Sequence, residues 1–397
     1  MIPSSIRYWR PIPDRRVIPC LIHSLKSRQP SSWLRRTTTS DAAPTNHNGD
    51  EPLMQRSWSQ TLAGLMLIAC LPVSLQATDL KLATVAPEGS GWMKELRAAG
   101  QQVRDRTGGR VNLKFYGGGI QGNDKKVLRK IRIGQLQGGM FTSNGLEERY
   151  PDILIYGLPM QFNSQDEVDY VRKRMDAKLA AGLEKAGFAS YGFAGGGFAY
   201  FMSGKPVMGL ADLRGQKIWV PEGDQTSFLA MESLRLSPVV LPITDVLTGL
   251  QTGLLDIVAA PPVGAIILQW YTKTRYVTRQ PLSYTLGVMV IDQGALKEVS
   301  AADQAVLREV MSALYARLDV ENRVDNIKAE QALKVNGLQF VSPNMAEIPE
   351  WRAAVSAAMD QMAAKGTFSA ELLGELRGHL QDYRKNPPVA PGANATP

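Results

Sequence analysis

The stretch Asp212-Leu-Arg-Gly-Gln-Lys-Ile-Trp-Val-Pro221, continued by Leu247-Thr-Gly-Leu-Gln-Thr-Gly-Leu-Leu-Asp-Ile-Val-Ala-Ala-Pro-Pro262, decides the fold of this chain. Lys217 is followed by the β-branched or aromatic residues Ile218, Trp219 and Val220, which predicts a short strand. Pro221 must end that strand because proline has no N–H to donate to a neighbouring strand. Residues 222–224 then open a helix, so the N-terminus of a helix lies beside the end of a strand.

The same alternation continues to the end of the stretch. Phe228, Met231 and Leu234 lie at helical spacing and predict a helix, which strand 238–241 follows. A second helix is predicted from Thr244 to the stop at Gly253, and residues 256–260 are predicted to form the last strand. Strands alternating with helices over short connections predict a right-handed, doubly wound α/β unit whose ligand cleft lies beyond the carboxyl ends of the strands. Trp219 and the turn 259–262 therefore face one crevice.

This order of segments resembles the second domain of the solute-binding proteins of TRAP (tripartite ATP-independent periplasmic) transporters. Those proteins read Asp-Leu-Lys-Gly-Leu-Lys-Ile-Arg-Val-Pro and, later, Ala-Leu-Gln-Thr-Gly-Val-Val-Asp-Gly. The resemblance extends from Leu80 to about Tyr383, and one departure stands out: the arginine that clamps a ligand carboxylate in the family is Trp219 here. The resemblance implies an α/β, two-lobed periplasmic binding protein fold, in which each lobe is a doubly wound sheet flanked by helices and a long C-terminal helix braces both.

The expected domain organisation follows from the resemblance and from composition. Residues 78–203 form lobe 1, to which segments from about 293 to 385 return, and residues 204–292 form lobe 2. The Pro-rich residues 386–397 are expected to be a disordered tail. Gly195-Gly196-Gly197 separates two predicted strands, 188–193 and 198–203, and serves either as a hinge where the family crosses between lobes or as a hairpin turn. A helix of about 30 residues after Ser300 is expected to brace the lobes, with its charged residues on a solvated outer face.

The N-terminal residues have the pattern of an export signal preceded by an extension. Residues 1–53 are rich in Arg, Ser, Thr and Pro and carry no periodicity, so they are expected to be disordered or to come from a start codon assigned too early. Residues 54–77 combine Arg56, an apolar run and a small residue at Ala77, which is typical of a secretory signal peptide. Cleavage after Ala77 would release a periplasmic protein. A lipoprotein acylated at Cys70 is the minority alternative, because the residues after Cys70 remain apolar.

Composition excludes several classes of function. The formal charge of +8 falls to +3 once residues 1–77 are set aside, and no basic face interleaved with aromatic residues argues for nucleic acid. Beyond residue 77 there is no Cys and a single His, His379, which excludes disulfides, thiol catalysis and Cys/His zinc sites there. No metal or cofactor is expected.

The predicted ligand site combines strand ends, turns and aromatic residues. Thr142, Ser143 and Asn144 end a strand of lobe 1 and are as typical of a turn as of a polar contact. In the resembled family the turn containing Gln121 borders the ligand. The full set of expected ligand residues is Trp92, Gln121, Thr142, Ser143, Asn144, Phe162, Phe198, Trp219, Asp224, Ala260, Pro261 and Pro262.

The replacement of Arg by Trp219 predicts the chemistry of the ligand. A bidentate arginine–carboxylate pair is worth about 1.5 to 3 kcal/mol, and an indole cannot supply it. Ala260, Pro261 and Pro262 also stand where the family commonly has polar residues. We therefore expect an uncharged or largely apolar ligand. The alternative is that Trp219 is core and that another arginine, such as Arg214 or Arg235, reaches an anion.

Three functions are weighed. The leading one is a binding protein, not an enzyme, that delivers a small molecule to membrane TRAP permease subunits. A subset of the family also works with a periplasmic helical-repeat protein, and the Trp219 replacement makes that subset worth considering. The second is a carboxylate-dependent enzyme on the same fold, for which only Glu222 and Asp224 lie near the cleft, where they are more simply explained as helix caps. The third is a periplasmic scaffold that binds protein.

Overall fold

The computed structural model describes residues 77–387. The predictions for the extension 1–53, for the signal peptide 54–77 with Cys70 and for the tail beyond residue 387 therefore fall outside the described residues, apart from residue 77 itself. Within 77–387, each helix is too short or too polar to cross a bilayer.

The strands of the described residues join in one curled sheet. They are β1 (Thr78–Ala83), β2 (Val111–Tyr116), β3 (Gly138–Thr142), β4 (Phe188–Ser203), β5 (Ile218–Pro221), β6 (Pro238–Leu241), β7 (Ile257–Ala260), β8 (Tyr276–Thr278), β9 (Ser283–Asp292) and β10 (Gln339–Val341). Their order is β2-β1-β3-β9-β4-β7-β5-β6, with β8 beside β4 and β10 beside β8.

Helices cover both faces of this sheet. They are α1 (Gly91–Arg106), α2 (Asp124–Arg132), α3 (Gln165–Lys185), α4 (Leu210–Leu213), α5 (Gln225–Ser233), α6 (Val246–Thr252), α7 (Pro262–Ile267), α8 (Gln293–Leu296), α9 (Ala301–Val335), α10 (Ile348–Ala364) and α11 (Ala370–Lys385). On the sheet of lobe 1, α1 and α9 pack against one face, and α3 packs against the other, where α11 packs against α3. The result is the predicted α/β fold.

Both outer parts of the sheet are parallel and wound in the same way. Strand β1 lies between β2 and β3, and β5 lies between β6 and β7, all in parallel pairs. In the stretch that decides the fold, Asp224 caps α5 and Gly253 ends α6 in the left-handed conformation, at φ 73°. The alternation predicted there is confirmed, because each boundary coincides with a residue whose backbone or side chain requires it.

The prediction of two separate strands around Gly195-Gly196-Gly197 is wrong, and so is the hairpin alternative. Strand β4 runs through the glycines without a turn and pairs with β9 on both sides of them, with register shifts at 190/193 and 195/197. A Cβ at Gly195 would lie 1.8 Å from Tyr284 Oη, so the strand continues only because glycine carries no side chain. Strand β4 pairs with β9 in its first part and with β7 near its end, and thus connects the two lobes.

Helix α9 is the predicted bracing helix. Its 35 residues span about 52 Å at the standard rise of an α-helix, and it packs against α1, β4 and α7. It therefore contacts elements of both lobes. The exact lobe boundaries at residues 203/204 and 292/293 remain predictions.

Candidate functional site

The carboxyl ends of the parallel strands of the two lobes face each other. Asn123 at the start of α2 donates from Nδ2 to Glu222 Oε2 beyond β5, at 2.5 Å. A Cβ built on Gly119 would lie 3.5 Å from Thr244 Cγ2, and one on Gly223 would lie 3.2 Å from the Lys125 side chain. We call the region between these strand ends the cleft. The lobes touch along its edge, where α2 of lobe 1 meets the β5–α5 turn of lobe 2.

Trp219 lies in the core of lobe 2. Its side chain is 5% exposed, its ring packs edge-on against Trp270 with centroids 5.0 Å apart, and its Nε1–H donates to the Leu241 carbonyl at 2.9 Å. The indole thus stabilises the pairing of β5 with β6 from one side. Little of its face is available to a ligand in this conformation, contrary to what its size alone suggests.

The turn after β7 has no charged side chain. Ala260 is 4% exposed and pairs with Tyr200 of β4, while Pro261 caps and Pro262 begins α7. Proline suits the first position of a helix because the N–H it lacks would have no partner there. The next N–H, that of Val263, is accepted by Asn326 Oδ1 at 3.2 Å. This turn therefore gives the wall of lobe 2 an apolar section that is fixed to α9.

On the side of lobe 1, the end of β3 offers a free hydroxyl. Ser143 is 5% exposed, and its Oγ has no hydrogen-bond partner among the described residues. A buried polar group without a partner costs about 1 to 3 kcal/mol, so a hydroxyl in this state is a candidate for a ligand contact. Its neighbour Thr142 instead donates to Asp124 Oδ2 at 3.3 Å, and the Asn144 carbonyl accepts from the N–H of Glu147.

Among the titratable groups of the cleft, Asp124 has the pKa that is shifted most. Burial raises its pKa to about 6, and hydrogen bonds from the hydroxyl and backbone N–H of Thr142 offset only part of that rise. Its carboxylate occupies the space beside Gly145, where a Cβ would lie 2.2 Å from Oδ2. This carboxyl therefore changes charge close to neutral pH.

Two further predicted ligand residues are occupied by contacts within the protein. The Gln121 carbonyl and Oε1 both accept from Lys130 Nζ, at 2.9 and 2.8 Å. Asp224 is 7% exposed, and its Oδ1 accepts from the Thr226 hydroxyl and from the N–H of Ser227. Asp224 is thus a helix cap, as the simpler of the two predictions stated, and its Oδ1 is engaged within the protein.

The predicted aromatic residues fall into two places. Phe162 and Phe198 both contact the ring of Tyr284 edge-on, with centroids 6.4 and 5.3 Å apart, although Phe162 is 3% exposed and belongs to the core. Trp92 is half-buried at the start of α1, and its Nε1–H donates to Asn322 Oδ1 at 3.0 Å. Of the four predicted aromatic residues, Trp92 and Phe198 are half-buried, whereas Phe162 and Trp219 are buried.

Sequence reasoning missed the polar residues of α9. The prediction that the charged residues of this helix lie on a solvated outer face is wrong for Asp319, which accepts from Arg172 at 2.6 Å and from the N–H of Gly195 at 2.8 Å. Asn322, for which no role was predicted, is 3% exposed. Asn322 lies one turn after the buried Leu318, and that position on the apolar face of the helix was the signal that could have found it.

The guanidinium groups near the strand crossing are paired with acids. Arg172 bonds Asp176 and Asp319; burial would lower its pKa, but the two carboxylates more than offset this and raise it. Arg323 bonds Asp169 and Asp319. Both cations are therefore held by carboxylates of the fold, although the buried Nε of Arg323 has no hydrogen-bond partner among the described residues.

Two surface grooves lie away from the cleft. One of about 310 Å³ runs between α1 and β2, and one of about 510 Å³ lies between α3, β4 and α9. Neither is lined by a predicted ligand residue. Among residues 77–387, no group of three or more His, Cys, Asp or Glu side chains is arranged to hold a metal ion.

The chain is similar in sequence to bacterial solute-binding proteins. Residues 82–366 match the profile of the family described as bacterial extracellular solute-binding protein, family 7. The chain is 25% identical over 260 residues to the protein YiiZ of Salmonella typhimurium, covering 64% of this chain and 78% of that one. It is 24% identical over 314 residues to the C4-dicarboxylate-binding periplasmic protein DctP of Rhodobacter capsulatus, covering 76% and 91%.

Solved structures share the fold. The sugar acid binding protein DctPAm of Advenella mimigardefordensis, solved in complex with galactonate, superposes with a TM-score of 0.71 at 18% identity, covering 77% of this chain and 99% of that one. At that identity the likeness establishes the fold alone.

Proposed function

The chain belongs to family 7 of the bacterial extracellular solute-binding proteins, the periplasmic ligand carriers of TRAP transporters, and on that premise we propose that its own ligand is uncharged or largely apolar. Proteins of this family bind small molecules and work with membrane TRAP permease subunits. The proposal concerns what this member carries and how its cleft recognises it.

The observation that carries the proposal is that a buried Trp219 stands in place of an arginine. At the position where the resembled family has its carboxylate-clamping arginine, this chain has an indole that is 5% exposed and bonded to the Leu241 carbonyl. The apolar turn of Ala260, Pro261 and Pro262 supports the same reading. Arg172 and Arg323 are paired with Asp residues, so neither is a ready substitute for the absent guanidinium.

The relatives with named ligands bind acids: a C4-dicarboxylate for the Rhodobacter protein and galactonate for the Advenella protein. An acid ligand brought into this cleft would lose hydration without gaining, at position 219, the charged hydrogen bond of about 1.5 to 3 kcal/mol that arginine gives. A neutral ligand avoids that loss. The buried hydroxyl of Ser143 supports a ligand with at least one neutral hydrogen-bonding group, because such a group would satisfy it.

Two other functions have less support. An enzyme using Glu222 and Asp224 would need two available carboxyls. Asp224 instead caps a helix, and Glu222 accepts from Asn123 at the edge of the cleft. A protein-binding scaffold, and a helical-repeat partner, remain predictions. So do export through residues 54–77 and the minority alternative of acylation at Cys70, which N-terminal sequencing and mass measurement of the exported protein would test.

The test starts from the natural ligand. The exported protein is purified without denaturation, and any small molecule that it carries is released and identified by mass spectrometry. Its binding, and that of galactonate and succinate, is then titrated by calorimetry at low and high salt. We expect a neutral compound that binds with little dependence on salt, and Ser143→Ala is expected to weaken it about 2- to 12-fold through one lost neutral hydrogen bond.

A matched control is Ser312→Ala, which removes a hydroxyl from the groove between α3 and α9. It should leave ligand affinity unchanged. Tight, salt-dependent binding of galactonate or succinate would overturn the proposal of a neutral ligand. Turnover of the bound compound would favour the enzyme, and the absence of any bound small molecule would favour the scaffold.

A further inference from the structure

Three polar side chains of α9 face the glycine segment where β4 connects the lobes. Asp319 Oδ1 accepts from the N–H of Gly195 at 2.8 Å, Asn322 Nδ2 donates to the Gly195 carbonyl at 2.9 Å, and Asn326 Nδ2 donates to the Gly196 carbonyl at 2.9 Å. The helix thus bonds the backbone of the crossing strand at its glycines, in addition to the apolar contacts that its buried residues make with β4.

The other end of each asparagine reaches a different wall of the cleft. Asn322 Oδ1 accepts from the indole N–H of Trp92, at the start of α1 in lobe 1. Asn326 Oδ1 accepts from the N–H of Val263, at the start of α7 in lobe 2, directly after Pro262. One helix therefore holds both walls through two residues that are one turn apart.

The chemistry of these partners fixes the orientation of both amides. An indole N–H and a backbone N–H can only donate, and a carbonyl can only accept, so each asparagine must place its oxygen toward the wall and its nitrogen toward β4. Asn326 Nδ2 also donates to the Asn322 carbonyl at 2.9 Å, which links the two. With Asn322 at 3% exposure, water cannot readily replace its partners.

The Trp92 indole is also confined on its far side. A Cβ built on Gly287 of β9 would lie 3.3 Å from Trp92 Cη2. The ring is therefore held between β9 and α9, and its position depends on the bond to Asn322. A packed helix is rigid over one turn. Any rotation of the lobes that moves Trp92 away from Val263 must therefore break the Trp92–Asn322 bond, break the Val263–Asn326 bond or bend α9.

We propose that Asn322 and Asn326 are positioning residues that set the arrangement in which the lobes touch, by holding Trp92 and the start of α7 at a fixed separation. They stabilise closure from behind the cleft. This deepens the proposed function, since it assumes that the ligand binds in the same cleft, but it does not depend on the charge of that ligand. Loss of one such neutral hydrogen bond corresponds to a change of about 2- to 12-fold in the equilibrium between closed and open forms.

The test measures the separation of the lobes without any ligand. In the full chain, Cys20 and Cys70 are replaced by Ser, and single cysteines are introduced at two exposed positions, Arg129 of α2 and Gln251 of α6. Spin labels on both cysteines then report the distribution of distances between the lobes by pulsed electron resonance. The parent protein should show a short-distance population, corresponding to the structure described above.

Asn322→Leu and Trp92→Phe both remove the hydrogen bond between these two residues, and Asn322→Leu also removes the bond to the Gly195 carbonyl. Each is expected to reduce the short-distance population relative to the long-distance one by about 2- to 12-fold, and the double variant by no more than the larger single effect. Asn326→Asp keeps the acceptor for Val263 but sets a carboxylate against the Gly196 carbonyl, so it should shift the population in the same direction. The matched control is Asn336→Leu, the same substitution at the exposed end of α9.

Circular dichroism and urea unfolding identify variants that fail to fold. If Asn322→Leu does not fold, Trp92→Phe and Asn326→Asp carry the test. Folded variants with the distance distribution of the parent, or independent and additive effects of Asn322→Leu and Trp92→Phe, would overturn the proposal. Discovery of an acidic ligand would overturn the proposed function while leaving this result intact, so the two failures are distinguishable.

Discussion

Replacing Trp219 by alanine tests whether the indole is a structural part of lobe 2. The side chain is 5% exposed, packs edge-on against Trp270 and donates to the Leu241 carbonyl. Because of these contacts, Trp219→Ala should destabilise the folded protein strongly and should do so first in β5, β6 and β7. The free energy of unfolding, rather than ligand affinity, is the quantity that responds.

The magnitude follows from the area and the bond that are lost. A buried Trp removes about 150 to 250 Å² from water, which at about 25 cal/mol per Å² gives an upper bound near 4 to 6 kcal/mol. Measured Trp-to-Ala changes in cores cost about 3 to 5 kcal/mol, and the Leu241 carbonyl would also lose its partner. We expect a loss of about 4 kcal/mol.

The assay is urea unfolding followed by circular dichroism, combined with hydrogen exchange to locate the effect. Trp219→Phe is the matched control: it keeps an aromatic ring against Trp270 but removes the N–H, and should cost about 1 to 3 kcal/mol. A loss below about 1 kcal/mol for Trp219→Ala, with unchanged exchange in β5–β7, would refute the assignment of the indole to the core. It would then be free to face a ligand.

Three further outcomes are expected. Glu167 is buried, and burial would raise its pKa, but the Arg384 guanidinium and the hydrogen bonds from Asn163 together outweigh that effect and hold the pKa below its usual value. Its contribution to stability is therefore present above the unfolded pKa of about 4.3 and is lost as the pH falls through the folded value. Arg384→Gln should lower the free energy of unfolding by about 2 to 3 kcal/mol at pH 7 and by progressively less below pH 4. Urea unfolding at several pH values measures this, and a loss of stability that is independent of pH would contradict it. Gly195→Ala should lower the free energy of unfolding by about 1 to 3 kcal/mol, because the new Cβ would meet Tyr284 Oη. Tyr284→Phe should restore only part of this stability, since the ring Cζ would still lie 2.7 Å from that Cβ. Fully additive effects of the two substitutions in unfolding measurements would count against the clash. Burial raises the pKa of Asp124 to about 6, so this acid destabilises the folded state as the pH rises from about 4 through 6. Asp124→Asn should raise the thermal midpoint at pH 8 and leave it unchanged at pH 4, whereas equal shifts at both would show that the carboxyl is not desolvated.

Much of the fold follows from local patterns. The ends of α5 and α6 and the bounds of β2 and β6 coincide with residues whose preferences are strong, such as the capping Asp224 and the left-handed Gly253. The family resemblance adds the two-lobed arrangement and the bracing helix. In the leader, the pattern of residues 54–77 remains a prediction from composition alone.

The candidate site could be predicted only in part. The sequence indicates which strand ends and turns border the cleft, because the carboxyl ends of parallel strands lie together. It does not indicate which side chains are already engaged. Gln121 and Asp224 are bonded to Lys130 and to the first turn of α5, whereas Ser143 is buried without a partner; the three are equally polar in the sequence.

What the sequence by itself determined is the family, the alternation of strands and helices, and the absence of a guanidinium at position 219. These depend on near neighbours in the chain, or on residue identity alone. Only the tertiary structure decided that β4 runs unbroken through its glycines, that the Trp219 indole is turned into lobe 2, and that Asn322 and Asn326 connect both walls of the cleft. Those features depend on contacts between residues that are far apart in the chain, up to 230 positions for Trp92 and Asn322, and no local pattern encodes which of two polar groups will meet.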